Sequence, residues 1–126
     1  MINSVSYNNP SQLLPEIIDS QIERQQALHL SATFQCKVPS CLKWFNGHFE
    51  GFQILPGVAQ LDWVMHLLHE CGVSDQFTGF ERLKFSRPIR PDEELQIRLM
   101  VSPDFAKFFI LNDDGEFASG RVMFLS

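Results

Sequence analysis

The sequence predicts an α+β domain in which one antiparallel sheet covers one buried helix. Three observations carry the prediction. Residues 27–38 alternate strictly between apolar and polar side chains. Residues 56–72 form a long helical pattern that is apolar around most of its circumference. From residue 78 onward strand patterns follow one another, separated by turn signals. Sequential hairpins make an antiparallel sheet, and a buried helix needs such a cover. A single sheet does not surround a helix on all sides, so a dimer that extends the sheet is expected as well.

The elements follow in chain order. Residues 1–16 are polar and contain Pro10 and Pro15, the composition of a mobile or loosely packed arm. Residues 1–24 are assigned to an N-terminal arm and lead-in, and residues 25–126 to a single domain. In the first strand Leu28, Leu30, Ala32, Phe34, Cys36 and Val38 are apolar, while His29, Ser31, Thr33, Gln35 and Lys37 are polar. That period of two marks a half-buried strand. Residues 39–55 hold Pro39, Gly47 and Gly51 without a clean period, so they read as loop with a helical turn near Leu42 to Phe45. The helix starts at Pro56, a residue favoured in the first turn, and stops near Gly72, a good C-terminal cap. Its main stripe is Val58, Leu61, Met65 and Leu68, broadened by Trp63, Val64 and Leu67, so it is buried on more than one side. Four strands complete the chain: 78–86, 95–101, 106–111 and 117–125. The last two are joined by Asn112-Asp113-Asp114-Gly115, a hairpin turn signal.

Bulk properties exclude several classes. A chain of 126 residues is one domain by expectation and long enough for a real core. The 44% hydrophobic and 20% charged content is that of an ordinary globule, not of a disordered chain. A net charge of -5 argues against nucleic acid held through phosphate contacts. Cys36, Cys41 and Cys71 are an odd count without metal-ligand spacing, so neither a zinc site nor a disulfide framework is suggested. The first 20 residues have no basic start and no long apolar run, so no signal peptide is read, and no stretch approaches a membrane span. A reducing cytoplasm is the expected location.

The stretch from Asn46 to Asp62, NGHFEGFQILPGVAQLD, concentrates the residues able to do chemistry. The first N–H groups of the helix, from Gly57 onward, lack intrahelical partners and carry the positive end of the dipole. Gly57 has no side chain, so a ligand oxygen can approach its N–H, a stabiliser for a carbonyl turning into an enolate. The Pro-Gly pair alone equally marks an ordinary helix start. His48 stands eight residues before Pro56 and is the side-chain type suited to proton transfer near neutrality, though a lone loop histidine is often only structural. Asp62 sits among Leu61, Trp63, Val64 and Met65. Burying a carboxylate is costly and favours its protonated form, the form that donates a proton. The alternative is a polar stripe: Asp62, His66 and His69 are spaced i, i+4, i+7 and could all face water, or share a cation. No further ligand cluster supports a metal, and none is assigned. Cys71 has no adjacent base and reads as a small core residue rather than a nucleophile.

HFEGFQILPGVAQLD resembles the active-site segment of the hot-dog-fold 3-hydroxyacyl-[acyl-carrier-protein] dehydratases, approximately H-F-x-G-x-x-x-x-P-G-V-x-x-x-[E/D]. His48, Phe49, Gly51, Pro56, Gly57, Val58 and Asp62 fall at the matching positions. FERLKFSRPIRPDEEL resembles the second hallmark of that family, a strand F-x-R-P-[IV]-x-P-G-D with its turn. The wording LPGVAQLDWV is most similar to dehydratases of aryl-polyene clusters. Glu50 and Gln53 stand where the family commonly has proline, and Asp92 follows Pro91 without the usual glycine.

The resemblance implies a hot-dog fold over residues 25–125, a sheet wrapped around one long central helix. It implies dehydration of 3-hydroxyacyl thioesters on acyl carrier protein to trans-2-enoyl thioesters, in aryl-polyene or fatty-acid-like synthesis. His48 would take a proton from C2, the Gly57 N–H would hold the thioester oxygen, and Asp62 would assist loss of the C3 hydroxyl as water. The Ile54 carbonyl would orient the histidine, and Val58 would line the substrate site. In the family the histidine and the acid facing one substrate come from different subunits, which agrees with Asp62 lying five residues beyond Gly57, about 7 to 8 Å along the axis. No cofactor is implied, because loss of water is redox-neutral. Lys43, Arg82, Lys84, Arg87 and Arg90 are candidates for docking an acidic carrier protein, against a reading as scattered solubilising charge. The twelve phenylalanines could line an acyl tunnel, though most belong to the core. The rival functions are a hot-dog acyl thioesterase and a non-catalytic partner subunit in a dehydratase heterodimer.

Overall fold

The computed structural model describes residues 13–25, 29–45, 53–73 and 76–125. The elements are β1 (Glu16–Arg24), β2 (Leu30–Lys37), a 3-10 turn (Lys43–Phe45), α1 (Gly57–Glu70), β3 (Phe77–Phe85), β4 (Glu94–Val101), β5 (Phe105–Asn112) and β6 (Gly115–Phe124). All six strands join one antiparallel sheet in the order β1-β2-β4-β5-β6-β3.

The regular part of the sheet follows from side-chain alternation. Leu30, Ala32, Phe34 and Cys36 of β2 are buried, as are Leu95, Ile97, Leu99 and Val101 of β4 and Ala106, Phe108 and Ile110 of β5. Register stacks them across strands: Ala32 faces Leu99, which faces Phe108, and Phe34 faces Ile97, which faces Ile110. Each Leu, Ile, Val or Phe among them contributes about 1.5–3 kcal/mol by leaving water. The hairpin from β5 to β6 turns through Asp113 and Asp114, with the Asn112 Oδ1 accepting the Asp114 N–H at 2.9 Å.

Two expectations about the chain path change. Residues 16–24, assigned from the sequence to the arm and lead-in, form β1 and pair with β2 along its length. Their pattern is weak because an outer strand is covered on one side only, and seven of the nine residues are exposed. The arm is also docked at its inner end: the Leu13 carbonyl accepts both indole N–H groups, from Trp63 at 2.7 Å and Trp44 at 2.8 Å, and Leu14 is buried. The rest of the arm, residues 1–12, lies outside the described residues. The second change concerns β3, which pairs with β6 and not with β4. Residues 86–93 contain Pro88 and Pro91 and are too long for a hairpin turn. They run as a strap to the other end of the chain's path. Ser86 N–H donates to Phe117 O at 2.8 Å, Asp92 N–H to Val38 O at 2.7 Å and Val38 N–H to Glu93 O at 2.9 Å.

Helix α1 lies on the buried face of the sheet through Ala59, Gln60, Trp63, Val64, Leu67 and Leu68. The stripe expected from the sequence is rotated: Val58 is 65% exposed, and Leu61 and Met65 are only partly buried. One sheet covers one side of the helix, and the second apolar side stays open in a single chain. Gly72, at φ 85°, ends the helix as expected, and the Arg24 guanidinium donates to the Cys71 carbonyl at 2.7 Å. A cation there opposes the negative end of the helix dipole. A six-stranded antiparallel sheet carrying one long helix on its buried face is the hot-dog arrangement that the motifs imply.

Candidate active site

The start of α1 is held by the strap and by β3. Pro56, with φ -62° and ψ 151°, occupies the N-cap without a side-chain cap. Its carbonyl accepts the Ala59 and Gln60 N–H groups at 3.1 and 3.3 Å. Among the described residues, the N–H groups of Gly57 and Val58 meet no acceptor. These are the two orphan donors that a helix N-terminus offers to a ligand oxygen. The approach is anchored one residue earlier, where Leu55 N–H donates to Ile89 O of the strap at 2.7 Å. Ile89 is itself buried, so the segment Ile54-Leu55-Pro56 is tied to the core.

The Phe85 ring closes one flank of this site. A Cβ on Gly57 would stand 3.0 Å from Phe85 Cζ and 3.2 Å from Cε1. Any larger residue at 57 would displace the ring. This contact joins residues from the two separate motifs, and no local pattern singles out Phe85 as the neighbour of Gly57.

Asp62 does not lie in an apolar interior within the single chain. It is exposed, as is His69, and His66 Nε2 stands 3.6 Å from Glu70 Oε1 one turn on. The polar stripe therefore describes one chain at Asp62 and His69, while His66 is half-buried with its Nε2 out of water. Asp62 nevertheless shares its side of the helix with Val58 and Met65, apolar residues that the sheet leaves wholly or partly open. Among the described residues no group of three or more His, Cys, Asp or Glu side chains is placed to hold a metal ion.

The structure thus brings Ile54, Gly57, Val58 and Asp62 to the first turns of one helix. His48, with Phe49, Glu50 and Gly51, lies outside the described residues. The two described residues flanking that interval are tied together, Gln53 Nε2 donating to Phe45 O at 3.5 Å. Of the docking candidates, Lys43, Arg82, Lys84 and Arg90 are exposed. Arg87 is committed elsewhere. Its guanidinium donates to Glu116 O, Gly115 O and Asn112 Oδ1 and stacks 4.1 Å from the Phe117 ring centre. It clamps the β5–β6 hairpin instead of offering a surface charge. Cys71 is buried, and burial pushes its thiol up to about 11, with Arg24 opposing and Glu70 adding to the shift. A neutral buried thiol is not a nucleophile. A hollow of about 400 Å³ beside β1, β2, β4 and β5, lined by Ile18, Gln35 and Arg98 among others, contains none of the candidates.

Comparison with known proteins agrees with this fold. The family model described as ApeI-like, ApeI dehydratase, matches residues 21–121. A chain of the dehydratase heterocomplex ApeI:P from Xenorhabdus doucetiae superposes with a TM-score of 0.76 at 30% identity, covering 89% of this chain and 98% of that one. An uncharacterised protein from Erwinia carotovora subsp. atroseptica gives 0.73 at 31% identity, covering 88% and 95%. The 3-hydroxyacyl-[acyl-carrier-protein] dehydratase FabZ of Bacillus pumilus is 32% identical over 68 residues, 48% of this chain and 47% of that protein. The FabZ of Nitratidesulfovibrio vulgaris is 28% identical over 98 residues, 64% and 61%. The chain therefore spans about half to three fifths of the length of these FabZ proteins.

Fold and helix-end site together define a hot-dog protein of the dehydratase kind. The chain belongs to the ApeI-like dehydratase family. No helix among the described residues is long and apolar enough to cross a membrane.

Proposed function

We propose that this protein dehydrates 3-hydroxyacyl thioesters on acyl carrier protein to trans-2-enoyl thioesters, in aryl-polyene or fatty-acid-like chain building. The observation that carries the reading is the pair of N–H groups at Gly57 and Val58 that meet no acceptor among the described residues, at the start of the helix that carries Asp62. His48 removes the proton from C2. The Gly57 N–H holds the thioester oxygen as charge builds on it, and the C2 electrons form the double bond to C3. Asp62 protonates the C3 hydroxyl as it leaves, and the products are the enoyl thioester and one water. Every electron pair is accounted for without a redox partner, so the reaction needs no cofactor. The Ile54 carbonyl orients His48 in this scheme, and Val58 lines the acyl site.

A second hot-dog subunit completes the site. Three features support this: β3 is an edge strand, it carries the exposed apolar residues Phe77, Leu83 and Phe85, and the side of α1 around Val58 is open. An exposed strand edge with apolar side chains invites pairing with another chain. A partner placed there would cover Asp62 and bring it to the neighbouring His48. The structural neighbour is a heterocomplex, which favours a heterodimer as strongly as a homodimer. Lys43, Arg82, Lys84 and Arg90 remain candidates for meeting an acidic carrier protein, a contact that weakens with salt. The three free thiols suit a reducing cytoplasm.

Product mass tests the reaction. Incubation with a 3-hydroxyacyl carrier protein is expected to remove one water from the acyl chain. Release of the free acid would assign a thioesterase, and an unchanged chain would assign a non-catalytic subunit.

A further inference from the structure

The position of Phe85 carries a consequence for which acyl chains can react. Phe85 is the last residue of β3 and its ring touches Gly57 tip first: a Cβ there would lie 3.0 Å from Cζ, 3.2 Å from Cε1 and 3.4 Å from Cε2. The root of the ring is fixed. Phe85 pairs with the small, buried Ala118 of β6, and the next residue donates its N–H to Phe117 O at 2.8 Å. The ring's tip rests on Gly57 while its face stays open, since Phe85 remains 47% exposed.

Leu83 stands beside it because β3 is irregular. The pairing with β6 shifts between Glu81 and Lys84, and Arg82 has a φ of 55°. An extra residue in a strand turns the following side chain to a new direction. Here it sends Leu83 across Gly120 towards Phe108, so that a Cβ on Gly120 would meet Leu83 Cδ2 at 2.7 Å and Phe108 Cε2 at 2.9 Å. Phe108 faces the helix side of the sheet, so Leu83 does too, and it is 40% exposed. Leu83 and Phe85 thereby form an open apolar shelf that ends at the Gly57 N–H.

We infer that Phe85 is a specificity-determining residue, the wall that acyl carbons near the thioester must pass to place their carbonyl on Gly57. This rests on the dehydration reading above. With the ring tip against the helix start, the flank beside Gly57 has no room for a branching methyl. A straight chain, or the flat conjugated chain of an enoyl product, lies along the face of the ring, the geometry that aromatic rings favour. Phe85 moves no proton. It selects shape.

The test uses the full chain, with its partner subunit if it has one, and two pantetheine substrates: straight 3-hydroxyoctanoyl and its 4-methyl-branched analogue. The branch leaves the C2 proton and C3 hydroxyl unchanged. The expected preference of the unaltered protein for the straight chain is about tenfold in kcat/KM, the scale of one methyl in a tight apolar site. Phe85→Ala is expected to bring that ratio close to one, and Phe85→Leu to an intermediate value. The same pair of chains, as amide analogues that cannot react, is measured by calorimetric binding to each variant. A ratio in Phe85→Ala within about twofold of the unaltered protein, with melting unchanged, overturns the inference even if dehydration is seen. Binding that discriminates through Phe85 without any turnover keeps the wall and removes the dehydration reading instead. If Phe85→Ala fails to fold, Phe85→Leu decides on the same criterion.

Discussion

The two sides of the sheet differ in kind. On β2, β4 and β5 every buried residue has its counterpart across the strand and belongs to one core cluster with α1, which a single chain completes. On β3 the register breaks, a non-glycine residue takes a positive φ, and apolar side chains remain half exposed. The candidate site lies on the second side. Packing that one chain completes gives stability, and packing that it leaves open is available for a substrate and a second subunit. The irregularity has a use: a regular β3 would alternate past Leu83 and not seat it over Gly120.

Asp62→Asn should show the largest divergence between the two sides. Loss of the proton donor is expected to lower kcat by about 10²–10⁴-fold. Stability should change by less than about 0.5 kcal/mol, as for exposed surface substitutions, because Asp62 is exposed in the single chain. Steady-state rates and urea melts on the same sample give both numbers. Dehydration within threefold of the original would remove Asp62 from the mechanism.

Replacing one phenylalanine on each side gives the stability half of the comparison. Phe34 is fully buried between β1 and β4 and should cost about 3–5 kcal/mol as alanine. Phe85→Ala should cost well under half of that in a single chain, because its ring already meets water. Equal losses in urea unfolding would mean that the edge is completed by a tight partner even in dilute solution.

The difference also explains what could be read beforehand. Alternation in β2 and β4 and the signals at Pro56 and Gly72 place those elements to within three residues, because local periodicity decides them. The place of β3 beside β6 is set by where the strap 86–93 goes, which depends on hydrogen bonds to Val38, Leu55 and Phe117 that no local pattern encodes. The same limit applied to the helix. Its apolar residues are evident, but which of them face the sheet depends on packing: Val58, expected in the buried stripe, is exposed, and Gln60 is buried. In the site, Gly57 and Asp62 were legible through motif spacing. Phe85 was legible only as a motif residue, not as the neighbour of Gly57. Arg87, one of five candidate docking cations, proved to hold a hairpin, since a charge in sequence does not reveal its partners.

The buried thiols supply a smaller, pH-dependent contrast. Burial raises Cys36 to about 12 and Cys71 to about 11 from an ordinary 9.0. The folded state therefore keeps protons that the unfolded state releases above pH 9. Stability from these groups is fully present below about pH 9 and is lost as pH rises towards 11 to 12. Melting temperature should fall over that window, and Cys36→Ala should lessen the slope while lowering the plateau. Cys41 is exposed, so it should react with a thiol reagent at pH 8 in the native protein while the other two wait for unfolding. Simultaneous reaction of all three would place Cys36 and Cys71 outside the core.

Gln60 tests where the boundary between the two sides runs. It is 3% exposed, on the face of α1 that packs against the sheet, and its Oε1 has no hydrogen-bond partner among the described residues. A buried acceptor left unpaired costs about 1–3 kcal/mol. Methionine has similar length and no such need, so Gln60→Met should stabilise the protein by about 1 kcal/mol, less whatever repacking costs. If Gln60 belongs wholly to the self-sufficient core, activity should follow stability and change little. A loss of about 1 kcal/mol in urea unfolding would instead show that Oε1 accepts a hydrogen bond in the working assembly. In that case the polar site extends one turn deeper along α1 than the donors at Gly57 and Val58.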